Sequence, residues 1–312
     1  MSGTGSAGPA VGSLAPAEFQ RRLEEGLGLA IGPFNARIRV RHDAITDTLY
    51  RLYRDYPLVA EDSVFSFHAW LDRRRPLLPW RSQRVRFTVD GRVPHEDMPA
   101  SHGLAVLEWG INLVIALRFH SYLMLHSAVV AKDDRALLLP AAPGAGKTTL
   151  CAALALRGWR LFSDEFGMLR PGTSDMIPLP RPMALKNESI DVIGHFSADA
   201  ELGPAIAGTR KGTVAHLKPP TDSARRAAET ASARWIVYPR WQAGSECRLE
   251  ELAPADSFML LATNAFNYEV LGEAGFATVK GLVDRCRSYR LIYSDLDQAI
   301  EALERMADQD EA

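Results

Sequence analysis

Ala141-Ala142-Pro143-Gly144-Ala145-Gly146-Lys147-Thr148-Thr149 sets the reading of the whole chain. It follows the Walker A pattern, with Ala141 at the position of the first glycine. Gly144 and Gly146 lack the Cβ that would keep backbone N–H groups from wrapping phosphate oxygens. The helix expected to follow would add the partial positive charge of its N-terminus. Lys147 is then placed to reach the β- and γ-phosphates, and the Thr148 hydroxyl to bind Mg²⁺. Ala142, Pro143, Gly144, Ala145, Gly146, Lys147, Thr148 and Thr149 are the candidate nucleotide-binding residues, with ATP and Mg²⁺ as the expected cofactors.

The flanks supply the context that such a loop requires. Leu137-Leu138-Leu139 reads as a buried strand entering it, and Thr148 to Arg157 as a helix leaving it, with Gly158 as its stop. Trp159 to Phe162 reads as the next strand. Upstream, Leu104 to Leu117 has helical spacing, Leu123 to Val130 reads as a strand, and Asp133-Asp134 as a turn. Strand, turn, strand, helix, strand is the skeleton of an α/β nucleotide-binding core.

Two further elements carry chemistry. Asp164-Glu165 stands 17 residues beyond Lys147 (164 − 147), room for one helix, a tight turn and one strand. The pair is therefore expected at the end of the strand entered from the loop's helix. There one carboxylate can help to bind Mg²⁺ and the other can accept a hydroxyl proton. His126 lies in an apolar strand expected to pair with the one feeding the loop. That placement would bring it towards the phosphate end, although a lone histidine in such a strand is equally at home as a satisfied core residue.

Composition sets the outer bounds. Of 312 residues, 47% are hydrophobic and 24% charged, an ordinary globular balance that excludes wholesale disorder. The net charge of −2, from 36 basic against 38 acidic residues, gives no reason to expect a nucleic-acid partner. The three cysteines, Cys151, Cys247 and Cys286, are too few and too scattered for a disulfide framework or a zinc cluster. The apolar region from Leu104 to Val130 is interrupted by Glu108, Asn112, Arg118, His120 and His126. It falls short of the ~20 apolar residues of a membrane span, so a cytoplasmic protein with no membrane contact is expected. Residues 1–17, rich in Gly, Ala and Ser, read as a disordered leader.

Residues 18–100 read as a small α+β region. Ala36 to Val40 and Arg84 to Val89 alternate in the manner of half-exposed strands, Asp90-Gly91 supplies a turn, and Arg73-Arg74-Arg75 reads as a solvated loop. Residues 101–312 form the catalytic domain. Within it, Pro178 to Pro220 reads as loop-rich and Arg234 to Tyr238 as a strand. Ala255 to Val270, Phe276 to Cys286 and Leu296 to Met306 read as helices. No Leu-Ser-Gly-Gly signature of a transporter ATPase and no Asn-Lys-x-Asp guanine-reading motif occurs.

His126-Ser127, the 144–148 loop and Arg157-Gly158-Trp159-Arg160-Leu161-Phe162-Ser163-Asp164-Glu165 together resemble the core of HPr serine kinase/phosphorylase, a core also similar to phosphoenolpyruvate carboxykinase. The resemblance is closer to the HPr-kinase-related kinase A branch. It rests there on Leu107-Glu108-Trp109-Gly110, Pro180 to Asn187, Lys211 to Leu217 and Asn264-Ala265-Phe266-Asn267-Tyr268. It implies an α/β fold with a P-loop kinase core of that type behind the α+β N-terminal region. It implies Lys147 on the phosphates, Thr148 on Mg²⁺, Asp164 and Glu165 sharing metal binding and proton abstraction, and His126 tuning the base. Lys186 and Lys211 would hold substrate or phosphate charge, with Arg181 and Arg210 behind them.

The implied reaction is Mg²⁺-ATP-dependent transfer of the γ-phosphoryl group to a hydroxyl, on Ser or Thr of a small protein or peptide. The branch implies a peptide-chaperone-like partner, and the parent family implies homo-oligomers. Three departures stand out: Ser127 replaces a glycine, Glu165 an aspartate, and Thr149-Leu150 a polar-acidic pair. They leave open phosphorylation of a small molecule, or nucleotide binding without transfer.

Overall fold

The computed structural model describes residues 8–74, 82–142 and 144–309. The N-terminal half opens with α1 (Pro16–Glu25), whose proline sits in the first turn where no intrahelical N–H is needed. Phe19 and Leu23, one turn apart, bury its inner face, and Glu18 pairs with Arg21 and Arg22 on the outer one. β1 (Leu27–Ile31) and β2 (Phe34–Arg41) form a hairpin, and α2 (Thr46–Tyr53) crosses over to β3 (Phe67–Arg74), parallel to β2. β4 (Arg84–Val89) and β5 (Met98–Pro99) complete a sheet of order β1-β2-β3-β4-β5. The alternation expected over 36–40 and 84–89 is present: Ala36, Ile38 and Val40, and Val85, Phe87 and Val89, all point into the core.

α3 (Gly103–Arg118) lies on this first sheet, packed against β3 and β4. At Gly110 a Cβ would come within 2.5 Å of the Phe87 ring, so only glycine allows the contact. Three expectations are corrected here. By packing, α3 belongs to the N-terminal core, so the division at 100/101 falls on the wrong side of it. The leader is structured from Gly8 onward: Val11, fully buried, donates its N–H to Tyr56 O at 2.9 Å. Val11 and Leu14 are large enough among small residues to anchor the segment, while residues 1–7 lie outside the described part. Arg73 and Arg74 extend β3 instead of a loop, because they pair in register with Val85 and Arg84; Arg75 lies outside the described residues. Ala100–Arg118 is the one helix among the described residues long and apolar enough to cross a membrane, and 56% of that window is buried inside the protein.

The second half is built on β6 (Leu123–Lys132) and β7 (Arg135–Pro140), joined through Asp133 at φ 55°. Then come α4 (Lys147–Leu156), β8 (Arg160–Ser163), β9 (Phe166–Leu169) and β10 (Asp175–Ile177). β11 (Met183–Lys186), α5 (Glu188–Phe196), β12 (Ile206–Thr209), β13 (Gly212–Leu217) and α6 (Thr221–Arg225) follow. β14 (Ala231–Trp241), β15 (Arg248–Glu251), α7 (Pro254–Thr263), α8 (Tyr268–Leu271), α9 (Glu273–Arg285), β16 (Arg287–Tyr293) and α10 (Leu296–Gln309) close the chain.

The main sheet runs β10-β9-β6-β7-β14-β16-β15, with β8 also on β6; β7, β14 and β16 are mutually parallel. Leu137 and Leu139 pack with α4 and α10 on one face, Ala136 and Leu138 with α7 and α9 on the other. Burial on both faces explains why β7 reads as an unbroken apolar run.

The proline-rich stretch is more ordered than expected. It carries a separate sheet of order β11-β13-β12 and helix α5. Its strands are only four to six residues long, too short to show a period through the intervening Pro and Gly. The single helix expected over 255–270 is two, because residues 264–267 leave the helix to bond along β6.

Candidate active site

β7 ends in the core at Pro140 and the chain turns through the glycine-rich segment into α4. Gly144 and Gly146 sit at φ 87° and 88°, the left-handed region in which a side chain is strained. Gly146 is also sterically committed, since a Cβ there would meet Tyr293 Oη at 2.6 Å and Trp241 Cβ at 3.0 Å. Two neighbouring strand ends hold the loop in place. The Trp241 N–H donates to Ala145 O at 3.0 Å, and Tyr293 Oη donates to Gly146 O at 3.3 Å. Lys147 opens α4 and is buried, with Thr148 and Thr149 half-buried behind it in the same turn. Ala142 and Ala145 lie in the loop, joined by an Ala145 N–H to Ala142 O bond of 3.3 Å. Pro143 lies outside the described residues.

The acidic pair follows the end of β8 directly, as expected, and β9 begins straight after it. β8 and β9 both pair with β6, and Asp164-Glu165 is the kink between them, opposite Ser127 and Ala128. Ser163 makes the kink: its Oγ accepts the N–H groups of Glu165 (3.2 Å) and Phe166 (2.9 Å), lifting the two acids out of the ladder. Asp164 Oδ2 accepts the Ala184 N–H at 3.3 Å, which ties the site to β11.

These groups feel one another. The dense protein around Asp164 and then the Glu165 charge push its carboxyl up to about 6, against the pull of Lys147 and the Ala184 N–H. Burial lowers the Lys147 ammonium, while Glu165 and Asp164 work to keep it charged. Burial and Lys147 lower His126, which leaves a neutral imidazole at pH 7, with Glu165 opposing and Lys186 and Lys211 adding to the effect. Lys147, Asp164, Glu165, His126, Lys186 and Lys211 thus share one electrostatic neighbourhood.

His126 is held by backbone. Its N–H donates to Asn264 O at 2.6 Å, and Phe266 N–H donates to Met124 O at 2.8 Å. Buried Asn267 accepts the Met124 N–H at 3.0 Å and donates to Tyr122 O at 2.8 Å. This brace sets the Phe266 ring against His126 with centroids 5.5 Å apart. Lys186 ends β11, and Lys211 lies in the turn between β12 and β13. Asn187, at φ 51°, donates its N–H to Thr213 O (2.9 Å) and accepts the Thr213 N–H on Oδ1 (3.1 Å). Lys211 is exposed, with its ammonium 5.5 Å from the Trp109 ring centroid. Arg181 is buried against Glu108 and Asn112 and is unavailable to a substrate; Arg210 is exposed at the hairpin tip.

Sequence reasoning passed over Trp241 and Tyr293, because residues that touch a loop from the ends of distant strands leave no local pattern. It also passed over the Ser163 hydroxyl, although a serine immediately before two acids is a turn signal.

No family model matches the chain, and no curated protein matches it. Among solved structures it is similar to the Hpr(Ser) kinase/phosphatase from Coxiella burnetii, at 10% sequence identity, covering 61% of this chain and 99% of that one, with a TM-score of 0.30.

Proposed function

We propose that this protein is a Mg²⁺-ATP-dependent kinase that transfers the γ-phosphoryl group to a hydroxyl of a small protein or peptide. The observation that carries the reading is the register around β6, which sets Ser127 against the end of β7 that leads to the glycine-rich loop and Lys147, and sets His126 to Val129 against the Phe166-to-Ser163 bend that holds Asp164 and Glu165. The loop's N–H groups and Lys147 bind the phosphates and hold the transferring group in line. Asp164 accepts the acceptor's hydroxyl proton as the new O–P bond forms and the bond to the β-phosphate oxygen breaks, releasing ADP. A group raised to about 6 is well poised for that exchange near neutral pH. Neutral His126 beside Glu165 leaves the carboxylates' negative charge undiminished at the reacting centre.

The Thr148 hydroxyl and the two carboxylates are hard oxygen donors that suit Mg²⁺, which when bound would neutralise phosphate charge. Among the described residues no cluster of three or more His, Cys, Asp or Glu stands ready to hold a metal ion. A protein or peptide acceptor accounts for the exposed apolar ring against His126 and for the exposed apolar side chains of the flanking helices. Phe266 is 48% exposed, and Met259, Val270 and Phe276 on α7 to α9 are also exposed, surface that a polar metabolite does not require.

Incubation with γ-labelled ATP and candidate acceptors, a peptide-chaperone-like protein among them, tests the reading. Label on a protein or peptide band is the expected result. Label on a soluble metabolite would point to a small-molecule kinase, and ATP binding without turnover to a silent module. Asp164→Asn is expected to lower transfer by about 10²-fold or more. In the parent protein kcat/KM should rise as pH increases through about 6, because the base must be deprotonated; activity is lost below that value, and Asp164→Asn should erase the inflection. A variant with unchanged rate and profile would remove Asp164 from the chemistry.

A further inference from the structure

The three parallel strands β7, β14 and β16 end at the same edge of the sheet, where open α/β sheets take their ligands. β7 delivers the glycine-rich loop. The acids lie to one side of it, beyond β6, while β14 and β16 lie to the other. A nucleotide whose γ-phosphate faces the acids must direct its nucleoside away from them, towards the ends of β14 and β16.

The residue at the end of β14 is Trp241, 52% exposed despite being the largest kind of side chain. It is not loose. Its N–H holds Ala145 O at 3.0 Å, its Cβ lies 3.0 Å from where a Cβ of Gly146 would be, and its indole Nε1–H donates to Ser294 O at 3.2 Å, just past β16. The residue is therefore held by its backbone at the loop and by its ring Nε1–H at Ser294, and it still presents about half its surface to solvent.

We infer that Trp241 is the stacking platform for the aromatic base of the bound nucleotide. The inference rests on the nucleotide reading above and deepens it. Stacking needs a rigid, flat, partly exposed ring, which the two tethers supply. Because Nε1 is already engaged by Ser294 O, the ring offers its face and not a donor, so it reads no base edge. ATP and GTP should depend on it equally.

Calorimetric titration of the full-length protein with MgATP, MgGTP and magnesium tripolyphosphate separates base from phosphate. Trp241→Ala is expected to weaken ATP and GTP about 5- to 150-fold, the range measured for loss of one base–aromatic stack, and to leave tripolyphosphate affinity within about twofold. Trp241→Phe should retain most of the ATP affinity. Equal ATP binding by Trp241→Ala and the parent overturns the inference. So does a parallel fall in tripolyphosphate affinity, which would make Trp241 a buttress of the loop. If the parent binds neither ATP nor tripolyphosphate, the nucleotide reading itself falls, a result the titration distinguishes from failure of the stack alone.

Discussion

Lys147→Ala is expected to abolish ATP turnover, lowering kcat/KM by at least about 10³-fold, while the protein stays folded. Lys147 is the first residue of α4, buried and within the fields of Asp164 and Glu165. Removing it takes away the only strong cation of the loop segment, 141–149, and with it the charge that stabilises the developing negative charge on the transferring group. A second effect works in the same direction. Lys147 is what holds the Asp164 carboxyl down against burial and Glu165, so its loss should move that group further up and leave less base at neutral pH. Folding should survive, because alanine suits a helix and the loop's hydrogen bonds to Trp241 and Tyr293 use backbone oxygens that the substitution leaves in place. Turnover assays with thermal unfolding in parallel decide it: parent-like turnover would strip Lys147 of its phosphate role.

The largest effect on stability should come from Arg181→Met. Arg181 is 5% exposed and Glu108 3%, and they form a direct ion pair. Arg181 Nη2 also donates to Glu108 O at 2.9 Å, and Tyr53 Oη donates to Glu108 Oε1 at 2.6 Å. Removing the guanidinium leaves a carboxylate buried without its counter-charge, a change that costs about 3–5 kcal/mol. The double variant Glu108→Leu/Arg181→Met should regain part of that loss, since no charge is left buried without a partner, and the remainder reflects the buried Tyr53 hydroxyl losing its acceptor. Urea unfolding midpoints of the parent, both single variants and the double variant test this. A loss below about 1 kcal/mol in Arg181→Met would mean that water reaches the pair.

Much of the candidate site's placement in the fold was legible because its logic is local. The loop's glycines, Lys147 and the distance to Asp164-Glu165 are properties of one short stretch, and β7 and α4 have periods that reveal them. Tertiary properties were not legible. Asp164-Glu165 sits at a kink because β8 and β9 share β6, and neither strand's own sequence announces that partner. Residues 264–268 stood out as a string, yet their task, bracing β6 so that Phe266 meets His126, depends on a hydrogen-bonding edge left free where β7 ends. Glu108 and Arg181 likewise stood in two separate strings. Their burial as one pair depends on α3 packing on the first sheet.

That placement of α3 bears on how the protein can be shortened. Cutting at 100/101 would keep Leu104, Val106, Leu107 and Ile111, all now covered, and discard much of what covers them. The truncated chain should therefore come out of cells insoluble, and the first half is better thought of as the foundation under Arg181 and the neighbouring β11 than as an accessory that evolution bolted on.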